Sequence, residues 1–283
     1  LLMPIYNKLI EVVLSNNYVQ ADETTLKVQD STITGKLHTG YLWAVLAPPN
    51  LVYFHYAESR AGEVPREMFK DYCGKVQTDA YAGYNRVFLP GKCKRIACMA
   101  HIRRKFIEVE RSSKRAGCQK ILKLISELYK IERAIKTLTP EERYEQRLKK
   151  SFILMRKLYE TIRHEKKFAL PESAYYKALR YAWEQSIAML QILRDGRYEL
   201  DNNLIENQMR PVALGRKNYL FAGSHEGAKR AAVLYTLINS CKLNGIDPYH
   251  YLSDVLRRIH TPGVKIEELL PHIWKKPVNM GLE

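Results

Sequence analysis

The sequence predicts an α/β fold, a mixed sheet with flanking helices interrupted by an all-α insertion. Three observations carry this. Residues 1–100 read as β-rich, with period-two alternation around Asp22 and apolar strand-type runs split by turn residues. Over residues 101–195 that punctuation disappears and apolar residues recur at helical spacing. From Gly196 onward a helix start, a basic segment and two further helical patterns follow. The expected organisation is a first part of a sheet-bearing core at 1–100 and a helical insertion at 101–195. The rest of the core follows at 196–225, and a C-terminal helical element with its tail at 226–283.

Each element has a local reason. Asp22, Thr24, Leu26 and Val28 share one face of a strand, and Glu23, Thr25 and Lys27 the other. Residues 40–47 (GYLWAVLA) and 51–56 (LVYFHY) are apolar runs split by Pro48-Pro49-Asn50, which reads as an antiparallel hairpin. Val64, Met68 and Tyr72 are spaced for a helix over 63–72, residues 75–78 form a short strand ending at Asp79, and 95–99 is another apolar stretch. In the insertion, Ile121, Leu124, Ile125, Leu128, Ile131 and Ile135 follow a helical repeat, as do Phe152, Met155, Leu158, Tyr159 and Ile162. Thr139 followed by Pro140 marks a helix start. Residues 173–193 read as one more helix, stopped at Asp195-Gly196. Residues 201–209 open a helix with Asp201 or Asn202 as cap, 215–223 (GRKNYLFAG) read as a basic loop, and 226–244 and 248–259 as helices. The tail from Thr261 carries three prolines and is expected to pack loosely.

Composition narrows the function classes. No run of about 18 apolar residues is present, which argues against a membrane span. The chain begins with Leu1 and has no signal-peptide pattern, and reads as the back part of a longer protein. Lys and Arg number 46 against 30 acids, a formal net charge of +16, which favours a polyanionic partner such as nucleic acid. Five scattered cysteines fit a reducing cytosol better than a disulfide framework. Cys93 and Cys98 lie near His101, but no second ligand pair follows, so core cysteines are the better reading than zinc ligands.

A strand hairpin, then strand–helix–strand, then helices resembles the ribonuclease H-like fold. That fold carries one Asp on its first strand, a second at the end of its fourth and a further carboxylate on a later helix. Asp22, Asp79 and Glu206 fall in that order. Two Mg²⁺ ions about 4 Å apart bring four positive charges, which clustered carboxylates offset. Glu23 follows Asp22 directly and points to the opposite strand face. Asp201 stands five residues before Glu206, a spacing that suits a helix cap.

The segment DNNLIENQMRPVALGRKNYLFAGS at 201–224 closely resembles transposases of the insertion-sequence-66 family. So do ADETTLKV around Asp22, ESRAGEVPREMF from Glu58, QTDAYAGYN around Asp79 and CMAHIRRKF from Cys98. AAVLY at 231–235 and KLNGIDP at 242–248 continue the match, in order, through nearly the whole chain. The resemblance implies that Asp22, Asp79 and Glu206 are DDE metal ligands for Mg²⁺, with Mn²⁺ as a substitute. It implies cleavage of transposon ends followed by 3′-hydroxyl strand transfer into target DNA, in a homo-oligomer with accessory proteins of the element. The expected setting is the bacterial cytoplasm, at the nucleoid. The resemblance also implies longer family members with an N-terminal region before the first Asp, holding a zinc-finger-like segment and a predicted coiled coil.

Basic residues supply candidate DNA contacts. His101, Arg103, Arg104 and Lys105 open the helix after the fifth strand, and Arg210, Arg216, Lys217 and Asn218 follow Glu206. Without the resemblance, a solvated basic face would be the preferred reading of the first group. Arg60 is a weaker candidate, and Tyr81, Tyr84 and Tyr219 are candidates for base stacking. Two other readings stay open: a nuclease of the same fold that only hydrolyses DNA, and a truncated or domesticated DNA-binding relic.

Overall fold

A computed structural model describes residues 1–30, 36–89 and 91–276. In chain order its elements begin α1 (Met3–Leu14), β1 (Tyr18–Gln29), β2 (Leu37–Ala47), β3 (Leu51–Ala57), α2 (Glu63–Met68), β4 (Lys75–Gln77), α3 (Asn85–Phe88) and β5 (Lys94–Ile96). They continue α4 (Met99–Ser113), α5 (Ala116–Ala134), α6 (Pro140–Gln146), α7 (Phe152–Phe168), α8 (Ala174–Glu184), α9 (Ser186–Leu190), α10 (Asn203–Tyr219), α11 (His225–Leu243) and α12 (Pro248–Arg258). The class is mixed α/β. The chain forms two compact units: residues 1–74, 82–93 and 204–283 make the first, and residues 75–81 and 94–203 the second.

The first unit is built on the antiparallel meander β1–β2–β3, in register Asp22↔Ala44 and Ala44↔Phe54. Leu26, Val28, Leu42, Ala44, Leu46, Val52, Phe54 and Tyr56 form one buried core cluster with Ile205, Met209 and Val212 of α10 and Ala228 and Ala232 of α11. Trp43, Val45 and Tyr53 alternate with them and are buried too. A strand covered on both faces reads as a continuous apolar run, and this is why residues 41–47 show no polar alternation. The expected Pro-Pro-Asn turn joins β2 to β3. Asn50 and Asn244 exchange bonds across it: Asn50 Nδ2 donates to Asn244 Oδ1 at 2.8 Å, and Asn244 Nδ2 to the Asn50 carbonyl at 2.9 Å.

Two expectations for this unit are corrected. Residues 215–219 are not a loop but the last turn of α10, which runs through Pro211. The apolar face of α10 on the sheet outweighs the local Pro and Gly signals. A side chain at Gly215 would meet the Tyr235 hydroxyl and the Tyr219 ring. The helix ends only at Leu220, which takes a left-handed φ of 64°. The chain then pairs with β1, Ala222 donating to the Lys27 carbonyl and accepting from Gln29, both at 2.8 Å. The described part of the tail is also well packed, contrary to its proline content. Leu269 and Leu270 are buried, Tyr251 donates to the Leu269 carbonyl at 2.6 Å, and Trp274 Nε1 donates to Asp254 at 2.7 Å. Residues 277–283 lie outside the described residues.

In the second unit β4 and β5 pair in parallel, with Val76 opposite Arg95. Helices α4, α5, α7 and α8 pack in a ring, each touching two of the others. Their buried residues recur at helical spacing: Met99, Ile102, Phe106 and Val109 on α4, and Ile121, Leu124, Ile125 and Leu128 on α5. Thr139 caps α6, as the sequence predicts, and the structure adds a reciprocal box with Glu142. The helix expected over 173–193 is broken at Gln185 into α8, α9 and a final 3₁₀ turn. In the first unit a third expectation is corrected: the helix expected over 63–72 ends at Met68.

Candidate active site

Asp22 sits in the middle of β1, half-buried, with its Oδ1 accepting from the Glu23 amide at 2.9 Å. By strand alternation it shares its face with Leu26 and Val28, the face that α10 covers. Two residues earlier on that face stands Gln20, completely buried. Its Oε1 accepts from the backbone N–H of Ile205 at 3.1 Å, and its Nε2 donates to the Tyr18 hydroxyl at 3.0 Å. Ile205 immediately precedes Glu206, so the strand bearing Asp22 holds the first turn of the helix bearing Glu206. The amides of a first helical turn have no intrahelical acceptor, and Gln20 supplies one from outside the helix. Sequence reasoning passed over Gln20. Its signal was a polar residue at a buried position of the period-two pattern.

Glu206 is in the first turn of α10 and half-buried. Its Oε1 is buried and has no hydrogen-bond partner among the described residues. Asp79 belongs to the second unit, just past β4. Its Oδ1 accepts from the Tyr81 amide at 2.9 Å, and Arg95 Nη2 donates to its carbonyl at 2.7 Å. Burial and then the Asp79 charge push the Tyr181 hydroxyl up to about 12.

The neighbouring acids are engaged elsewhere. Glu23 accepts from Arg60 Nε at 2.7 Å and from the Tyr84 hydroxyl at 2.9 Å. Tyr84 is buried and packs edge-on against Trp43, with ring centroids 5.7 Å apart. Arg60 and Tyr84 are therefore occupied by the protein itself, and neither is a free contact for DNA. Asp201 Oδ1 accepts from the Asn203 amide at 3.1 Å and its Oδ2 from the Tyr129 hydroxyl at 2.8 Å, the bonding of a helix cap. Burial and then that carboxylate hold the Tyr129 hydroxyl far above its ordinary value.

Of the basic candidates, Arg103, Arg104 and Lys105 are exposed on α4, and His101 is half-buried there. Arg210, Lys217 and Asn218 are exposed on α10. Arg216 is anchored, its Nη1 donating to the Thr25 carbonyl at 2.6 Å and hydroxyl at 2.7 Å. Tyr219 is partly exposed and bonds the Tyr235 hydroxyl at 3.2 Å. Cys93 and Cys98 are core side chains, and burial pushes the Cys98 thiol up to about 12.

These features define a mixed α/β protein with two units, one built on the β1–β2–β3 meander and one mainly helical. The chain belongs to the IS66 family of transposases, whose model matches residues 1–230, while a model of the IS66 C-terminal element matches residues 236–272. Uncharacterized protein y4hP of Sinorhizobium fredii is 35% identical over 97% of this chain and 54% of its own length. Uncharacterized protein y4jD of the same organism is 35% identical over 97% of this chain and 57% of its own length. The chain thus spans about half the length of the curated relatives it matches. Among the described residues no helix is long and apolar enough to cross a membrane.

Proposed function

We propose that this chain is the catalytic portion of a DNA transposase with a ribonuclease H-like core. In this reading it cleaves the ends of its element and joins the freed 3′-hydroxyl to target DNA. Asp22, Asp79 and Glu206 hold the divalent metal ions, Mg²⁺ or Mn²⁺. The observation that carries the reading is Glu206 Oε1, a buried carboxylate oxygen without a hydrogen-bond partner among the described residues, on a helix turn held by the strand of Asp22. Such an oxygen is costly unless a cation or a proton takes it. Carboxylate oxygens are the donors that hard divalent cations select. Family membership and the order of the three acids support the same assignment.

When bound, the metal ions lower the pKa of the attacking water or hydroxyl and neutralise charge at the leaving oxygen. The chain's own residues position and charge the site. Gln20 fixes the turn that carries Glu206, and Asp201 satisfies the amide one turn before it. Arg210, Lys217 and Asn218 offer exposed donors to DNA phosphates along α10. Two element ends are processed together, so the active species is a homo-oligomer, assisted by accessory proteins of the element.

The test uses a duplex with a recessed 3′ end, incubated with Mg²⁺ or Mn²⁺. Joined products support strand transfer, and nicked products alone identify a nuclease. DNA binding without either product identifies a DNA-binding relic. Glu206→Gln abolishes metal-dependent products if the assignment holds. Products that survive this substitution refute it.

A further inference from the structure

The second unit carries a groove of about 660 Å³ along α4 and α5, lined by Arg103, Arg104 and Arg111 of α4 and by Tyr129 and Arg133 of α5. Its origin is the two-faced character of α4. Met99, Ile102, Phe106 and Val109 turn inward to the helical ring. The residues between them, from Ala100 through Arg104 to Arg111, recur at three- and four-residue steps and turn outward. On α5 the groove positions Ser126, Tyr129 and Arg133 recur in the same way beside the buried Ile121, Ile125 and Leu128.

The groove's charge is unbalanced. Glu108 is its only acidic lining residue, and it pairs with Lys105 at 3.8 Å. None of Arg103, Arg104, Arg111 and Arg133 makes an ion pair or side-chain hydrogen bond among the described residues. Several other arginines of the unit are ion-paired, as Arg143 with Glu199, Arg147 with Glu132, Arg156 with Glu160 and Arg197 with Asp195. Four like charges in one groove repel, and Glu108 is the one acid among its lining residues.

We propose that this groove binds the sugar–phosphate backbone of duplex DNA, as a docking site carried by the helical insertion. Guanidinium forks fit phosphate oxygens in bidentate geometry. Arg104 and Arg111 stand two helical turns apart, roughly 10 Å, which spans about three phosphates of one strand measured along the duplex axis. The aromatic residue in the groove, Tyr129, is committed to Asp201, so contact is to the backbone and carries no base readout. Ile107 is the one large aliphatic side chain among the lining residues, and charge rather than apolar surface dominates them. The site rests on the reading that the chain acts on DNA, and does not depend on the three carboxylates.

The test is fluorescence anisotropy of this chain with a labelled duplex of arbitrary sequence, across a salt series without divalent metal. Arg111→Glu with Arg133→Glu should weaken binding by on the order of 10- to 100-fold and lower the salt slope by about two. Arg111→Lys with Arg133→Lys should keep most of the slope. Both arginines are exposed, so an unchanged melting temperature checks that the fold is intact. Unaltered duplex binding by the charge-reversed protein overturns the groove alone, and Glu206→Gln then still tests the catalytic reading. A wild-type chain that binds no duplex overturns both. Poly-glutamate bound as tightly as duplex, with the same loss on reversal, would assign the groove to an acidic protein and overturn the proposal.

Discussion

Gln20 on β1 accepts a hydrogen bond from the backbone of Ile205 at 3.1 Å, across 185 residues of chain and without exposure to solvent. Through this one bond the turn carrying Glu206 is set on the strand carrying Asp22. Gln20→Met keeps the volume and removes the acceptor, leaving a buried N–H unsatisfied at a cost of about 1–3 kcal/mol. Denaturant unfolding should register that loss. Metal-induced stabilisation should fall by more than global stability does, because the change loosens a ligand-bearing turn. An unchanged metal response would remove Gln20 from the site's support.

Arg147 makes an analogous link inside the second unit. Fully buried in the π-helical turn Arg147–Ser151, it donates to both Glu132 oxygens at 2.9 and 2.7 Å and to the carbonyls of Ile192, Asp195 and Tyr198. All five of its N–H donors are used. Arg147→Met should cost about 3–5 kcal/mol in chemical denaturation, since Glu132 and three carbonyls lose their donors. Glu132→Leu added to it should recover part of the loss by removing a carboxylate that then keeps Arg143, at 3.7 Å, as its ion-pair partner. A loss under 1 kcal/mol for the single variant would contradict this account.

Much of this architecture was legible because local and tertiary preferences agree. The Thr139 cap and the α5 and α7 repeats needed only spacing, and the hairpin needed only its Pro-Pro-Asn turn. Errors arose where tertiary packing overrode a local signal. Gly215 reads as a loop residue, yet the face of α10 on the sheet carries the helix through it. Pro262 and Pro271 read as a loose tail, yet Leu269, Leu270 and Trp274 bury there. At the site, the alternation that put Asp22 and Glu23 on opposite faces was readable. The pairing of Gln20 with Ile205 was not, because no periodicity encodes a contact between distant segments.

His55 gives the first unit a pH dependence. Burial and then the Lys229 ammonium hold its imidazole below the ordinary value. The unfolded chain therefore takes up a proton at higher pH than the folded one. Stability from neutral His55 is complete above the unfolded pKa, about 6.5, and is lost as pH falls below it toward the lowered folded value. Melting temperature should decline between pH 7 and pH 5. His55→Gln should flatten that decline, with a residue left by His272, which burial shifts in the same direction. A slope unaffected by His55→Gln would assign the acid sensitivity elsewhere.

Asp22 and Glu23 are adjacent acids with opposite predicted roles, and substituting each in turn separates structure from chemistry. Glu23 is bound to Arg60 and Tyr84, with its side chain only 3% exposed. Glu23→Gln should cost about 1–3 kcal/mol in stability through those partners. It should leave the metal-dependent reaction within a few-fold once the protein is folded. Asp22→Asn removes a proposed ligand from a strand that its neighbours already hold. Its stability should change little, while metal-dependent product formation falls by at least about 100-fold, the scale on which even outer-shell partners of a metal act. Thermal melts with and without Mn²⁺ read out both halves: a metal-induced shift kept in Glu23→Gln and lost in Asp22→Asn. The reverse pattern would move the ligand by one residue and put it on the opposite face of β1.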